Sequence, residues 1–268
     1  DDKKQDIDYP FEITAHELAH QWWAHQVVGA NVKGAVLMSE ALAQYSSEMV
    51  LEDEYGKELL KKYLKHEKNT YLRGRGNESI KEQPLRLVEN QPYIHYNKGS
   101  IVMYSLQRYI GEGKLNNALK SYCEDVRWQE PLYTNSDEFL SYIRAATPDS
   151  LQYLITDMFE KITFYENKVI KAKTASSSGD KHVIDLVLRV EKKYSNGQGK
   201  EESVESRDLI EIGLYSKDDK EIYLKKHWLN TGDNKITVTL NKKPEKVIID
   251  PNNLLIDRIT EDNSMEIN

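Results

Sequence analysis

The sequence has a single cysteine, Cys123, among its 268 residues. A disulfide within the chain is therefore excluded, and so is a zinc site built from several thiolates. No apolar run of about 18 residues occurs, which argues against a membrane-spanning helix in this sequence. The net charge of −7 argues against nucleic acid as a partner, because binding to phosphates requires a basic surface.

The sequence also lacks an initiator methionine and a signal-peptide pattern at its start, which reads Asp1-Asp2-Lys3-Lys4. We therefore expect the chain to be a piece of a longer protein. One cysteine fits several compartments, so the sequence leaves the localisation unassigned.

The first part of the chain, up to about residue 165, has helical periodicity. Helices are expected over about 10–28, 38–55, 57–71, 98–110 and 115–128, with two more starting at Asn135 and near residue 149 and the last ending near 161. The first helix has a plausible start at Asp8 and Pro10 and an expected stop at Gly29. The sequence Arg73-Gly74-Arg75-Gly76 is expected to interrupt the chain after the third helix.

The second part of the chain has the short, β-branched runs that are typical of strands. They cover 181–190, 209–215, 221–225, 235–240 and 246–249, and turn residues such as Asn196-Gly197 separate them. This pattern predicts a small antiparallel β-sandwich over 166–257, followed by a polar, frayed tail over 258–268. The fold class is therefore α+β, with a helical lobe over 1–165.

Candidate metal ligands lie in the first expected helix, in the sequence His16-Glu17-Leu18-Ala19-His20. Residues four apart lie one turn apart on one helix face, so the two imidazoles can converge on one Zn²⁺ ion. Glu17 is rotated by about 100° from His16 and is placed to reach a water molecule rather than the ion itself. This arrangement predicts His16 and His20 as zinc ligands and Glu17 as a general base.

A catalytic zinc site needs a third protein ligand and an open position. Glu40 opens the next expected helix, and two antiparallel helices joined by a short loop can bring its carboxylate beside the histidines. We therefore expect His16, His20 and Glu40 to bind one zinc ion.

With these residues in view, the sequence resembles the M1 family of zinc aminopeptidases, which belong to the gluzincins. The family reads His-Glu-x-x-His followed closely by tryptophan and, further on, by a glutamate, and this sequence has Gln21-Trp22-Trp23 and Glu40. Nineteen residues separate His20 from Glu40, one more than in the family, and Glu40 lies in Ser-Glu-Ala rather than Asn-Glu-Gly. A one-residue insertion in the loop between Gly29 and Leu37 would accommodate the difference.

A third motif, Tyr96-Asn97-Lys98-Gly99, is similar to the family's Tyr-x-Lys-Gly sequence before an apolar helix. The resemblance implies that the Tyr96 phenol donates a hydrogen bond to the oxygen of the scissile carbonyl as negative charge develops there.

The resemblance implies a thermolysin-like catalytic lobe followed by a β-sandwich, and zinc-dependent removal of N-terminal residues from peptides. The family's Gly-x-Met-Glu-Asn motif, which binds the free amine of the substrate, does not occur in this sequence. We expect it in an upstream lobe of the same chain that packs on the catalytic half. The residues after His20 are also similar to those of a bacterial branch of the family whose members are fused to membrane segments. The parent protein is therefore expected to be membrane-associated.

Two alternatives remain open at this stage. The first is a zinc-stabilised, non-catalytic binding module, which would have a fourth protein ligand in place of water. The second is an inactive protein: the presence of Glu17 and Tyr96 argues against an inert pseudoenzyme, because neither residue is needed to hold the metal. An inactive fragment of a larger membrane-associated protein stays open, because a cleft between two lobes cannot form with one lobe absent.

Overall fold

We describe the chain from a computed structural model that covers residues 7–179 and 181–268. The first six residues, which the expected helical lobe included, lie outside the described residues. The chain divides into two compact units, one reaching to Ile162 and including Asn196–Gly199, the other comprising Thr163–Ser195 and Lys200–Asn268. The first is helical and the second consists of antiparallel sheets, so the expected α+β class is confirmed. Within the described residues, no helix combines the length and apolar character needed to cross a bilayer.

Seven α-helices form the described part of the first unit. They are α1 (Tyr9–Ala19), α2 (Leu42–Tyr55), α3 (Lys57–Asn77), α4 (Gly99–Ile110), α5 (Glu112–Val126), α6 (Ser136–Ala146) and α7 (Gln152–Ile155). Three π-helical turns adjoin them, Leu37–Ala41 before α2, Tyr93–Lys98 before α4 and Thr156–Glu160 after α7. The starts expected at Asp8 and Asn135 are confirmed, because each side chain accepts hydrogen bonds from the first-turn amides of its helix.

The first helix is shorter than the sequence predicted. It ends at Ala19 rather than near Val28, and the chain then folds into a tight turn in which the amide of Ala24 donates to the carbonyl of Val27. Ala24 has a φ of 109°, a conformation that a helix cannot contain. The apolar residues over 22–28 belong to this turn rather than to another two turns of helix. The predicted C-terminal end of the first helix was therefore wrong.

The third helix is longer than predicted. It passes through the Gly74 and Gly76 positions and ends at Asn77. A Cβ atom on Gly74 would lie 2.5 Å from Cβ of Tyr93, so the glycine permits close packing of the π-helical turn against α3. The expected interruption at these glycines was wrong: Gly74 admits Tyr93, while Gly76 continues the helix with no neighbour within 4 Å of its Cβ position.

In the part of the chain that the structure describes, ten strands form three sheets. The strands are β1 (Ile162–Tyr165), β2 (Lys168–Ser178), β3 (Lys181–Val190), β4 (Lys192–Ser195), β5 (Glu201–Val204), β6 (Arg207–Tyr215), β7 (Glu221–Asn230), β8 (Gly232–Leu240), β9 (Lys246–Ile249) and β10 (Ser264–Glu266). The sheet orders are β1-β4-β5, β10-β9-β6-β7 and β2-β3-β8. All strand pairs described in register are antiparallel, for example β3 with β8 from His182 opposite Leu240 to Val190 opposite Gly232.

The inward residues of two sheets share one core. Alternate residues are buried along β3, from Ile184 to Val190, as the period of a strand requires. Along β6 the whole run from Ile210 to Leu214 is buried, and Ile210, Ile212 and Leu214 point into the core. Both sets belong to a single hydrophobic cluster. Each buried aliphatic side chain stabilises the fold by roughly 1.5–3 kcal/mol. The expected sandwich is therefore confirmed for these two sheets.

The end of the chain is ordered in structure rather than frayed. A 3₁₀ turn covers Thr260–Asn263, and β10 pairs with β9 so that Ser264 lies opposite Ile248. Ile267 is buried in the sandwich core. The polar composition of the tail concealed this edge strand, and the expectation of fraying was wrong.

Candidate metal centre

Two imidazoles lie at the end of α1. His16 is in the last turn and His20 is the residue at the C-cap, so they remain one turn apart although the helix stops at Ala19. Their ring centroids lie 4.8 Å apart. The Nδ1 atom of His20 lies 2.8 Å from the carbonyl oxygen of Trp23, and the Nδ1 atom of His16 has no hydrogen-bond partner among the described residues.

The carboxylate of Glu40 faces both rings. Glu40 lies in the π-helical turn Leu37–Ala41, and its Oε2 atom is 3.4 Å from Nε2 of His16 and 3.5 Å from Nε2 of His20. These separations exceed the ~2.7–2.9 Å of a charge-assisted hydrogen bond. Two ligand atoms bound tetrahedrally to zinc at about 2.0–2.1 Å are separated by about 3.3–3.4 Å. The donor set and its spacing therefore fit a tetrahedral zinc ion.

The group contains three residues that can bind a metal. One ligand atom from each of His16, His20 and Glu40 lies within 4.8 Å of the others, and among the described residues no further histidine, cysteine, aspartate or glutamate joins them. Three protein ligands leave a tetrahedral position open, which is the pattern of a catalytic rather than a structural zinc site.

The π-helical turn before α4 brings Tyr96 to the same place. Tyr96 lies in the turn Tyr93–Lys98, its ring centroid is 5.8 Å from that of His16, and the Glu40 carboxylate is close enough to raise the pKa of its phenol. Gly99 makes this approach feasible, because a Cβ atom there would lie only 2.7 Å from Cβ of Ala41. The pair Ala41 and Gly99 therefore lets the segments carrying Glu40 and Tyr96 pack in contact.

Glu17 lies beside the metal ligands rather than among them. It is exposed on α1 and lines a cavity of about 200 Å³. The residues that line this cavity are Glu12, Ile13, His16, Glu17, Gln44 and Tyr96. The structure thus brings together all five residues that the sequence singled out, with Glu17 and Tyr96 at one cavity.

In the ion-free protein, the charged groups of the site shift the pKa values of their neighbours. Burial lowers the pKa of His16, but the adjacent Glu40 carboxylate, with Glu12 and Glu17, more than offsets this and raises it above its usual value. The interaction with His16 lowers the pKa of Glu40 despite burial, and Tyr96 and His20 act in the same direction. Burial and then Glu40 raise the pKa of Tyr96 to about 12. Glu40 is therefore ionised and Tyr96 protonated at neutral pH.

Two residues near the site were not identified from the sequence. Glu12 is buried one turn before His16 and lines the cavity, yet a glutamate in the first turn of a helix is ordinary at the level of sequence. His95 is buried with its ring centroid 4.4 Å from that of Tyr96, and burial lowers its pKa. Its position next to Tyr96 in the sequence was the single signal that it packs there.

Comparisons with known proteins agree with these motifs. The sequence profile of the Peptidase family M1 domain matches residues 2–162. Among solved structures, a variant of an M1 zinc metallopeptidase from Deinococcus radiodurans with a bound Tyr-Ser-Ala substrate is 18% identical, with a TM-score of 0.44. The match covers 55% of this chain and 32% of that chain.

A variant of a two-domain M1 zinc metallopeptidase bound to L-tryptophan is 19% identical, with the same coverage and a TM-score of 0.44. The chain thus spans about a third of the length of these structures. A comparison with curated proteins gave no match.

The family profile covers more than half of the 268 residues, and its span contains the histidine pair, Glu17, Glu40 and Tyr96. On this match the chain belongs to peptidase family M1.

Proposed function

We propose that the chain supplies the zinc-binding and proton-transferring residues of a peptidase that hydrolyses peptide bonds. One observation carries the proposal, namely that a single oxygen of Glu40 lies 3.4 Å and 3.5 Å from the Nε2 atoms of His16 and His20. His16, His20 and Glu40 would hold the ion. When bound, a zinc ion lowers the pKa of a water ligand toward neutrality and polarises a carbonyl group.

Glu17 is the proposed general base. It follows His16 directly on α1 and lines the same cavity, which places it beside the ligands without making it one of them. In this role its carboxylate takes a proton from the attacking water and later passes it to the leaving amine.

Tyr96 is the proposed donor to the carbonyl oxygen. Its pKa of about 12 keeps the phenol protonated across the physiological range, and its ring centroid lies 5.8 Å from that of the ligand His16. A fixed donor at the position where negative charge develops stabilises the transition state more than the ground state.

We further propose that the full-length protein is an aminopeptidase, supported by membership of family M1. The Gly-x-Met-Glu-Asn motif that binds the free amine in this family is absent from the 268 residues. We place that motif in a substrate-binding lobe of the parent protein that packs on the helical unit.

The test is hydrolysis of a panel of short peptides by the chain loaded with zinc, followed by mass spectrometry of the products. We expect cleavage that a chelator abolishes and added zinc restores. Zinc binding without any cleavage, by this chain and by the full-length protein, would favour the binding-module alternative instead.

A further inference from the structure

Glu12 is a buried carboxylate whose two oxygens have different hydrogen-bond surroundings. Its side chain is 6% exposed. The Oε1 atom accepts three hydrogen bonds, from Nε2 of Gln44 at 2.8 Å, the hydroxyl of Ser47 at 3.3 Å and the hydroxyl of Tyr63 at 3.1 Å. Hydrogen bonds of this kind compensate in part for the cost of burying the group and fix its position.

The second oxygen of Glu12 is not used by the fold. Among the described residues, none donates a hydrogen bond to Oε2, and this atom is not fully enclosed by protein. Glu12 lines the cavity that also borders His16, Glu17 and Tyr96. A buried carboxylate that is held by three donors at one oxygen and open at the other is arranged to accept a hydrogen bond from a ligand.

The cavity carries negative charge and no compensating cation. Its lining residues include the carboxylates of Glu12 and Glu17 and contain no lysine or arginine. The charged groups that act on the neighbouring His16 ring are Glu40, Glu12 and Glu17. A zinc ion held by two neutral imidazoles and one carboxylate has a net positive charge, which repels a substrate cation. The carboxylates of Glu12 and Glu17 oppose that charge at the cavity.

From these contacts we infer that Glu12 binds a cationic side chain of the peptide substrate next to the scissile bond. The inference rests on the proposed peptidase function and deepens it. The ammonium group of a lysine or the guanidinium group of an arginine offers the N–H donors that Oε2 lacks. One turn of helix, about 5.4 Å, separates Glu12 from the ligand His16, so the cation lies close to the reacting bond.

The test compares lysine with norleucine, which has a similar length and no charge. The zinc-loaded chain is given N-acetylated peptides with either residue before or after the cleaved bond, and norleucine peptides with a free or acetylated N-terminus. A charge-assisted hydrogen bond corresponds to roughly a 10- to 100-fold preference in kcat/KM. A preference for lysine supports the side-chain site, whereas a preference for the free terminus alone reflects recognition of the substrate amine and would overturn the inference.

Two variants assign the preference to Glu12. Glu12→Gln keeps the size of the side chain and should remove most of the preference, measured as the ratio of kcat/KM for the lysine and norleucine peptides in the same variant. Ile13→Lys adds a cation at a cavity residue that is 53% exposed, so it tests the charge without disturbing the buried hydrogen bonds. Glu54→Gln, at an exposed position near the C-terminal end of α2, is the matched control and should leave the preference unchanged.

A binding measurement separates this inference from the proposed function. Calorimetry with the hydroxamates of lysine and norleucine reports zinc-site binding without turnover. If both bind equally and no peptide pair shows a preference, the Glu12 inference is overturned and the zinc proposal stands. If neither hydroxamate binds the zinc-loaded chain, both the Glu12 inference and the zinc proposal fail. If the preference exists but survives in Glu12→Gln, another residue supplies it and the inference is overturned.

Discussion

The Nδ1 atom of His20 lies 2.8 Å from the carbonyl oxygen of Trp23. A carbonyl oxygen only accepts, so Nδ1 of the neutral ring carries the proton and Nε2 keeps its lone pair toward Glu40. This contact requires the chain to leave the helix after Ala19, because in a continuous helix the carbonyl of Trp23 would point away along the axis toward later residues. The early end of α1 is thus part of what orients the metal ligand.

Replacing Glu17 by glutamine should separate metal binding from turnover. Glutamine has the same shape but cannot accept a proton at neutral pH. We expect the Glu17→Gln variant to bind one zinc ion and to hydrolyse peptides at least ~100-fold more slowly. A near-normal rate in this variant, with Glu54→Gln as the control, would show that Glu17 is not the base.

Replacing Tyr96 by phenylalanine should lower kcat with little change in KM. The phenol is expected to act on the transition state, so its loss should cost about 10²–10³-fold in kcat. Tyr133→Phe removes a hydroxyl from a partly exposed tyrosine outside the cavity and is the matched control. Equal kinetics for the two variants would remove Tyr96 from the mechanism.

Zinc affinity should fall as the pH is lowered, and it should begin to fall at a higher pH than an unperturbed histidine would give. Glu40 raises the pKa of His16 in the ion-free chain, and zinc binds the neutral imidazole. Below that raised pKa the apparent Kd should increase roughly tenfold per pH unit for each proton displaced. Competition with a chelator of known affinity between about pH 5 and 8 measures this. An affinity that does not change with pH would contradict it.

The stability of the ion-free chain should depend on pH through Glu67. Burial raises the pKa of this carboxyl to about 7, with the hydrogen bond from Nδ2 of Asn97 opposing and the charge of Glu12 adding to the rise. Because the folded pKa exceeds the unfolded value, stability is fully present below about pH 4.5 and is lost as the pH rises through about 7. The loss is roughly 3 kcal/mol.

Glu67→Gln should remove that dependence. Denaturant unfolding of the ion-free wild type and variant, at several values across this pH range, compares them directly. The variant should lose less stability than the wild type as the pH rises. Parallel curves for the two proteins would show that Glu67 does not carry the effect.

Local sequence spacing was enough to predict some features, while others depended on contacts distant in the chain. The spacing of His16 and His20 and the alternation along β3 depend on the periods of a helix and a strand, and both are found. The positive φ of Ala24 and the packing of Tyr93 against Gly74 depend on neighbours that periodicity does not report. The expected helix boundaries failed at these two positions.

The extra residue between His20 and Glu40 illustrates the same limit. The sequence placed it in the loop before Leu37. In the structure, Glu40 lies in a π-helical turn, which has more residues per turn than an α-helix and is frequent at functional sites. Glu12 escaped notice because its three hydrogen-bond donors come from α2 and α3 rather than from its own helix.

The zinc content of four proteins after dialysis tests the central claim most directly. The wild type, His16→Ala, Glu40→Gln and the control His25→Ala, which changes an exposed histidine of the turn after α1, are loaded with zinc and measured by elemental analysis. The account predicts one equivalent in the wild type and His25→Ala, none in His16→Ala and a strongly reduced amount in Glu40→Gln. One equivalent of zinc retained by both His16→Ala and Glu40→Gln would contradict it.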